Sequence, residues 1–175
     1  MKLHILSAFA MATGMLCAGT AYSQQAGAPD LNAIPENMPF NIPYGAPISA
    51  ERARALVDAA VAEAKKHNWA MNVAVVDPNG DLIAFERMDG AQLASISISQ
   101  HKARAAARYR RETVLFENGV QKAGLNYILT LDDVIASRGG IPLVEGGKLI
   151  GAIGCSGGTG SQDEATCKAA VGTMK

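Results

Sequence analysis

Aromatic side chains are scarce in this sequence, with one Trp, four Tyr and four Phe in 175 residues. That supply is too thin for a base-stacking platform on single-stranded nucleic acid. An excess of either charge is missing too, since 16 Lys and Arg face 16 Asp and Glu. A near-neutral chain lacks the positive footprint of a general nucleic-acid binder. Cysteine is limited to Cys17, Cys155 and Cys167, which form no CxxC pair and no zinc-type spacing with histidine. Beyond residue 23 no apolar run is long enough to span a bilayer. The glycine-rich stretch 156–160 lacks GK[ST] and does not fit GxGxxG, which excludes the familiar nucleotide loops. Gly154-Cys155-Ser156-Gly157-Gly158 does fit G-x-S-x-G. However, no His follows Ser156 to complete a hydrolase triad, and the chain is short for that fold.

The first 23 residues read as a secretory leader. Lys2 gives a short basic start, residues 5–18 are almost wholly apolar, and Ala21-Tyr22-Ser23 offers the small-x-small pattern of a cleavage site. Cleavage after Ser23 would leave 152 residues, enough for one domain with a real core. Losing Lys2 would set 15 basic against 16 acidic side chains, a charge of −1. The expected location is periplasmic or secreted, with no membrane attachment after cleavage. An oxidising compartment permits a disulfide between Cys155 and Cys167. Their places, at the end of a buried strand and inside the next helix, favour two separate buried thiols instead.

Residues 24–48 carry Pro29, Pro35, Pro39, Pro43 and Pro47 and read as an extended arm preceding the domain at 49–175. Leu31, Ile34, Met38, Phe40, Ile42 and Tyr44 are too many apolar residues for an idle linker. The arm should therefore pack on its own domain or on a neighbouring subunit. Ser49 is a good N-cap, and Ala53, Val57, Ala60, Val61 and Ala64 recur at helical spacing over 49–67. A hairpin follows, with strands at 71–76 and 81–88 around Asp77-Pro78-Asn79-Gly80. Ala103, Ala105, Ala106 and Ala107 decide for a helix over 93–111, and a short helix follows Thr113. A second hairpin pairs 141–144 with 148–155 across Glu145-Gly146-Gly147. Ser161-Gln162-Asp163-Glu164 then reads as a capping box opening the last helix. The order α-ββ-α-α-ββ-α predicts an α+β fold, an antiparallel sheet with helices packed on it.

Several of these segments resemble one family. Val75-Val76-Asp77-Pro78-Asn79-Gly80-Asp81-Leu82 followed by Arg87-Met88-Asp89-Gly90-Ala91 is similar to the "VVD-x-x-G-x-L … RMDGA" run of the GlcG/HbpS family. Lys102-Ala103, Gly139-Gly140-Ile141-Pro142, residues 151–158 and Gln162-Asp163-Glu164 match further segments in the same order, so the resemblance spans about 48–172. It implies a profilin-like α+β fold, assembly into homo-oligomers, and binding of haem or, alternatively, a corrinoid. Cys155, where the pattern often has Val or Ile, and the proline-rich arm depart from it.

The residues themselves suggest where a tetrapyrrole would sit. Ile98, His101, Lys102, Ala105 and Tyr109 share a broad face of the 93–111 helix, and Lys102, Arg104, Arg108, Arg110 and Arg111 make it the most basic stretch. Haem needs an axial ligand, an apolar slot and cations for its propionates. His101 offers the first, as the metal ligand, and Lys102 or Arg108 the last; the alternative is a solvated helix face. His67 suits a helix C-terminus. Arg87 is open to a ligand contact or to pairing with Asp77 or Asp89. Met88 is open to axial ligation or a place in the core. Asp77 should tie down its own turn. Gly157 and Gly158 would either present backbone amides to an anion or serve close packing. The functional expectation is an exported scavenger, store or sensor of haem. The competing reading is a cofactor-independent enzyme on a small organic acid or aldehyde, with Lys102 as base or Schiff-base nucleophile.

Overall fold

The structure is a computed structural model that describes residues 33–174. The residues read as a leader, 1–23, and the first part of the proline-rich arm fall outside the described residues. Helix α1 (Ala50–Lys66) begins where expected, with the Ser49 side chain accepting from the Arg52 amide. Strands β1 (Asn72–Val76) and β2 (Leu82–Arg87) form the first hairpin, and helix α2 (Ser95–Tyr109) follows. Then come the short helix α3 (Val114–Gln121), a 3-10 turn (Asn126–Thr130), the hairpin of β3 (Gly140–Glu145) and β4 (Lys148–Ser156), and helix α4 (Gly160–Val171). The sheet is antiparallel with order β2-β1-β4-β3. The α+β class and the antiparallel sheet are as the alternation of helical and strand patterns predicts, and the structure places helices on both faces of the sheet.

The two faces of the sheet differ in side-chain size, and that difference sets the layering. Val73, Val75, Ile141, Leu143, Ile153 and Cys155 point to the face covered by α1 and α4, forming the main core. Ala74, Val76 and Ala152 point the other way, against Ala103, Ala106 and Ala107 of α2. Small residues on both partners let α2 lie almost on the strand backbones. A Cβ added at Gly154 would collide with the Ser99 carbonyl, and one at Gly140 with the Lys102 carbonyl. We expect Gly154→Ala to cost about 1–3 kcal/mol or more by pushing α2 off the sheet, measured by urea unfolding. Unchanged stability would show that the helix is free to slide.

The hairpin turn is built as its residues suggest. Asp77 Oδ1 accepts from the Asp81 amide at 2.9 Å, and Gly80 takes a positive φ of 89°. From α2, Arg104 Nε donates to the Gly80 carbonyl and Arg108 Nε to the Asn79 carbonyl, clamping the turn to the helix.

The described arm lies on its own domain. Leu149 N donates to the Pro43 carbonyl, and Gly45 N and Ile48 N donate to the carbonyls of Leu149 and Ile150, with Tyr44 bridged to Leu149 in parallel. Beyond Ala152, where β1 ends, the arm takes over as the partner of β4. The Arg111 guanidinium sits 3.7 Å from the Phe40 ring centroid and that of Arg110 sits 5.3 Å from the Tyr44 ring. Arg110 also donates to the Ile42 carbonyl. The basic end of α2 is therefore largely an anchor for the arm.

Two sequence expectations need correction. The cap of the last helix is Thr159 with Gln162, not Ser161 with Glu164. Both tetrads fit the capping pattern, but Glu164 is drawn to Arg138 and Lys168 instead. Cys155 and Cys167 are also joined in a disulfide with Cα atoms 5.7 Å apart, not held as separate thiols. The chain folds α4 back over the face of β4 that carries Cys155, which brings the second cysteine above the first.

Candidate functional site

Lys102, Gly157 and Gly158 converge, though around a carboxylate of the chain itself. Lys102 has 1% of its side chain exposed, and its Nζ lies 2.7 Å from Asp163 Oδ2 and 3.3 Å from the Cys155 carbonyl. Asp163 Oδ1 accepts from the Gly158 amide at 3.0 Å, and the Gly157 amide also hydrogen-bonds this carboxylate. Burial pushes the Asp163 carboxyl above its ordinary range, while Lys102 and the two amides pull it back. Gly139, at a φ of 113°, makes room for the knot: a Cβ there would meet Asp163 Cβ and the Cys155 carbonyl at 2.9 Å. The glycine loop thus gives its amides to Asp163 in place of an outside anion. Thr159 N likewise donates to Gln162. Asp163 is the residue that sequence reasoning passed over. The signal was present in α4, where Asp163, Thr166, Cys167 and Ala170 form one buried stripe; an acid on such a stripe demands a cation.

The other candidates are dispersed. His101 is half-buried on α2, adjoining Lys102 but outside the lining of the clefts that hold Arg108 and Arg87. Arg87 is exposed, forms no ion pair among the described residues, and lines a shallow cleft of about 250 Å³ with Lys65 and Asp89. Met88 packs against the core, and its sulfur accepts from the Met71 amide. His67 caps α1, stacks on Trp69 with centroids 4.4 Å apart, and pairs with Glu63. Ser156 Oγ donates to Ser95 Oγ inside the protein, which ties that hydroxyl to a neighbouring side chain.

Arg108 lines a cleft of about 630 Å³ where β4 exchanges β1 for the arm. Tyr44, Gly45 and Pro47 form one wall, Asp77, Pro78 and Asn79 the other. Arg108 ion-pairs with Asp133 as well as holding the Asn79 carbonyl. Tyr44 donates its hydroxyl to the Arg108 carbonyl at 2.9 Å and is 51% exposed. Among the described residues no three His, Cys, Asp or Glu side chains gather as a metal centre. No described helix is long and apolar enough to cross a membrane.

Residues 48–172 match the family model described as haem degrading protein HbpS-like. The chain belongs to the HbpS-like family. It is 41% identical over 109 residues to the protein GlcG of Escherichia coli, covering 62% of this chain and 81% of that one. The fold superposes on the Klebsiella pneumoniae protein ORFY, a DUF336 member, with a TM-score of 0.70 and 26% identity. That match covers 82% of this chain and 99% of the other. It also superposes on a PduOC:haem complex with a TM-score of 0.67 and 28% identity, over 74% of this chain and 96% of that one. The HbpS-like chain therefore shares its antiparallel α+β architecture with a domain seen holding haem.

Proposed function

We propose that this HbpS-like protein binds haem, acting outside the cytoplasm as a scavenger, store or sensor. The observation that carries the reading is the common fold with the PduOC:haem complex across most of both chains. A candidate place for a small ligand is the cleft between the arm and the first hairpin. Its volume of about 630 Å³ lies in the ordinary small-molecule range. Proline rings offer apolar contact, and Arg108 offers a cation for a propionate. The Cys155–Cys167 pair is in keeping with an oxidising compartment and so supports export. Oligomer formation, as in the family resemblance, belongs to the same proposal. Against the enzyme reading stands the burial of Lys102, whose amine has no open path to a substrate.

The test is a titration of the purified protein with haemin, followed by absorbance. A saturable shift of the haem band, reaching an end point at one haem per chain or per dimer, is the expected result. His101→Ala measured in parallel tests the axial role that the sequence assigns to that side chain. No saturable binding at tens of micromolar haemin, roughly −6 kcal/mol or weaker, would overturn the haem reading.

A further inference from the structure

We infer that the N-terminal end of α2 binds a short carboxylic acid with a hydroxyl beside its carboxylate, over the rung of the sheet formed by Arg87, Asn72 and Ser156. This site is separate from the haem reading and does not depend on it. Arg87 of β2, Asn72 of β1 and Ser156 of β4 are Cα partners on neighbouring strands, so they stand side by side at one end of the sheet. Val73 and Val75 face α1 and α4, while Ala74 and Val76 face α2. Strand alternation therefore turns Asn72 to the α2 side. There its Nδ2 donates to the carbonyl of Gln92, which just precedes α2, at 3.4 Å. The Asn72 side chain is fully buried, yet its Oδ1 has no hydrogen-bond partner. A buried acceptor left open is costly, and what it calls for is a donor.

The surroundings define the rest of the ligand. Ser156 gives its hydroxyl proton to Ser95 Oγ, which leaves the Ser95 proton for another acceptor. Helix α2 opens at Ala94 with no side-chain cap and no acidic residue in its first turn. Its first amides and the positive end of its dipole therefore face outward with no side chain to neutralise them. Arg87 is exposed and forms no ion pair among the described residues, while Glu86 and Asp89 share the neighbouring cleft with Lys65. Donors and positive charge suit a carboxylate, and the open acceptor suits a hydroxyl next to it. An ammonium in that place would face Arg87 and the helix end, which disfavours an amino acid. The cover over the rung is lightly fixed. Apart from bonds to Met88 and the first turn of α2, segment 89–94 is tied to the described protein by the Asn72–Gln92 contact alone. Leu93 within it is 73% exposed. A ligand that engages Asn72 replaces this contact, so the segment lifts to admit it and closes over it.

The experiment titrates the full chain with each enantiomer of lactate and with propionate, which lacks the hydroxyl, using calorimetry and the NMR shifts of backbone amides. The wild type should bind lactate saturably, with shifts centred on residues 89–97. Propionate should bind roughly 10-fold or more weakly, since it leaves the Asn72 acceptor unpaired. Arg87→Gln should lower lactate affinity by about 10-fold or more through loss of a charge-assisted contact, and its exposed position leaves the fold intact. Asn72→Leu should erase the preference for lactate over propionate. Its melting temperature should stay at or above that of the wild type, because no open acceptor remains, whereas a purely structural asparagine would lower it. Should that variant fail to fold, the comparison of lactate with propionate in the wild type still decides. Equal affinity for the two acids, lactate binding indifferent to Arg87→Gln, or no saturable binding at concentrations on the order of 10 mM would overturn the assignment, whatever the haemin titration shows.

Discussion

Lys102→Ala is expected to destabilise the protein by about 3–5 kcal/mol, the range for removing one partner of a buried ion pair. At about 2–8 °C of melting temperature per kcal/mol for domains near this size, the midpoint should fall by on the order of 10 °C or more. The reason lies in what remains behind. Asp163 would stay buried with the Gly157 and Gly158 amides as partners and no compensating cation. The Cys155 carbonyl would also lose its donor, and the missing side chain would leave a cavity beside Gly139.

Burial already pushes the Asp163 carboxyl upward even with Lys102 in place. The folded state therefore takes up this proton before the unfolded chain does as pH falls. The contribution of this carboxyl to stability declines as pH rises from about 3.8 through its raised folded value. A charged state that costly inside the protein explains a second expectation. Lys102→Met combined with Asp163→Asn should recover a large part of the loss. The side-chain amide carbonyl introduced by the second change would still accept from the Gly158 amide, while no buried charge remained. Urea unfolding of the wild type, the single variant and the double variant at neutral pH measures both effects. Haemin titration of folded Lys102→Ala separates a structural lysine from a ligand-binding one. Wild-type affinity with lowered stability is the expected pattern. Lost affinity with unchanged stability would return Lys102 to the binding site.

Replacing the disulfide should have the next largest effect. Cys155 and Cys167 are 12 positions apart. Closing a loop of about that length is worth roughly 3 kcal/mol in the chain-entropy picture. Cys155→Val with Cys167→Ala keeps the site apolar, so the comparison reports the cross-link more than a newly buried polar group. We expect the stability measured by denaturation to drop by that amount and haemin binding to persist. The bond holds α4 to β4 on the face opposite α2, away from the Arg108 cleft. Equal unfolding midpoints for the wild type with and without reductant would show that the cysteines do not cross-link the protein.

Local pattern accounts for most of the fold. The alanine and valine stripe of α1, the Asp77–Gly80 turn and the second hairpin are each dictated by spacing that neighbouring residues already reveal. The alanines of α2 carry two messages. Helix propensity is legible along the chain, whereas their role as a smooth face against Gly140 and Gly154 needs both strands in place. The last helix shows the limit of local pattern. Thr159 and Ser161 offer competing caps, and the choice goes to Thr159 because Glu164 finds Arg138, a residue far away in sequence.

The candidate site was less legible for the same reason. His101, Lys102 and Arg108 are close in sequence, yet helix geometry sends them to different destinations. Lys102 turns inward to Asp163, Arg108 spreads over the hairpin turn and the cleft, and His101 lies outside that cleft. Tyr44 reads along the sequence as one apolar residue of the arm. Its place beside Arg108 and Arg110 arises only when the arm continues the sheet at Leu149. By itself the sequence determined the element order, the α+β class and the resemblance to a haem-binding family, because each rests on short-range periodicity or on motifs read in line. Tertiary structure alone decided the Cys155–Cys167 bond, the Lys102–Asp163 pairing and the cleft around Tyr44. Those depend on which distant segments share a desolvated space, where each buried charge or thiol takes the partner that packing brings within reach.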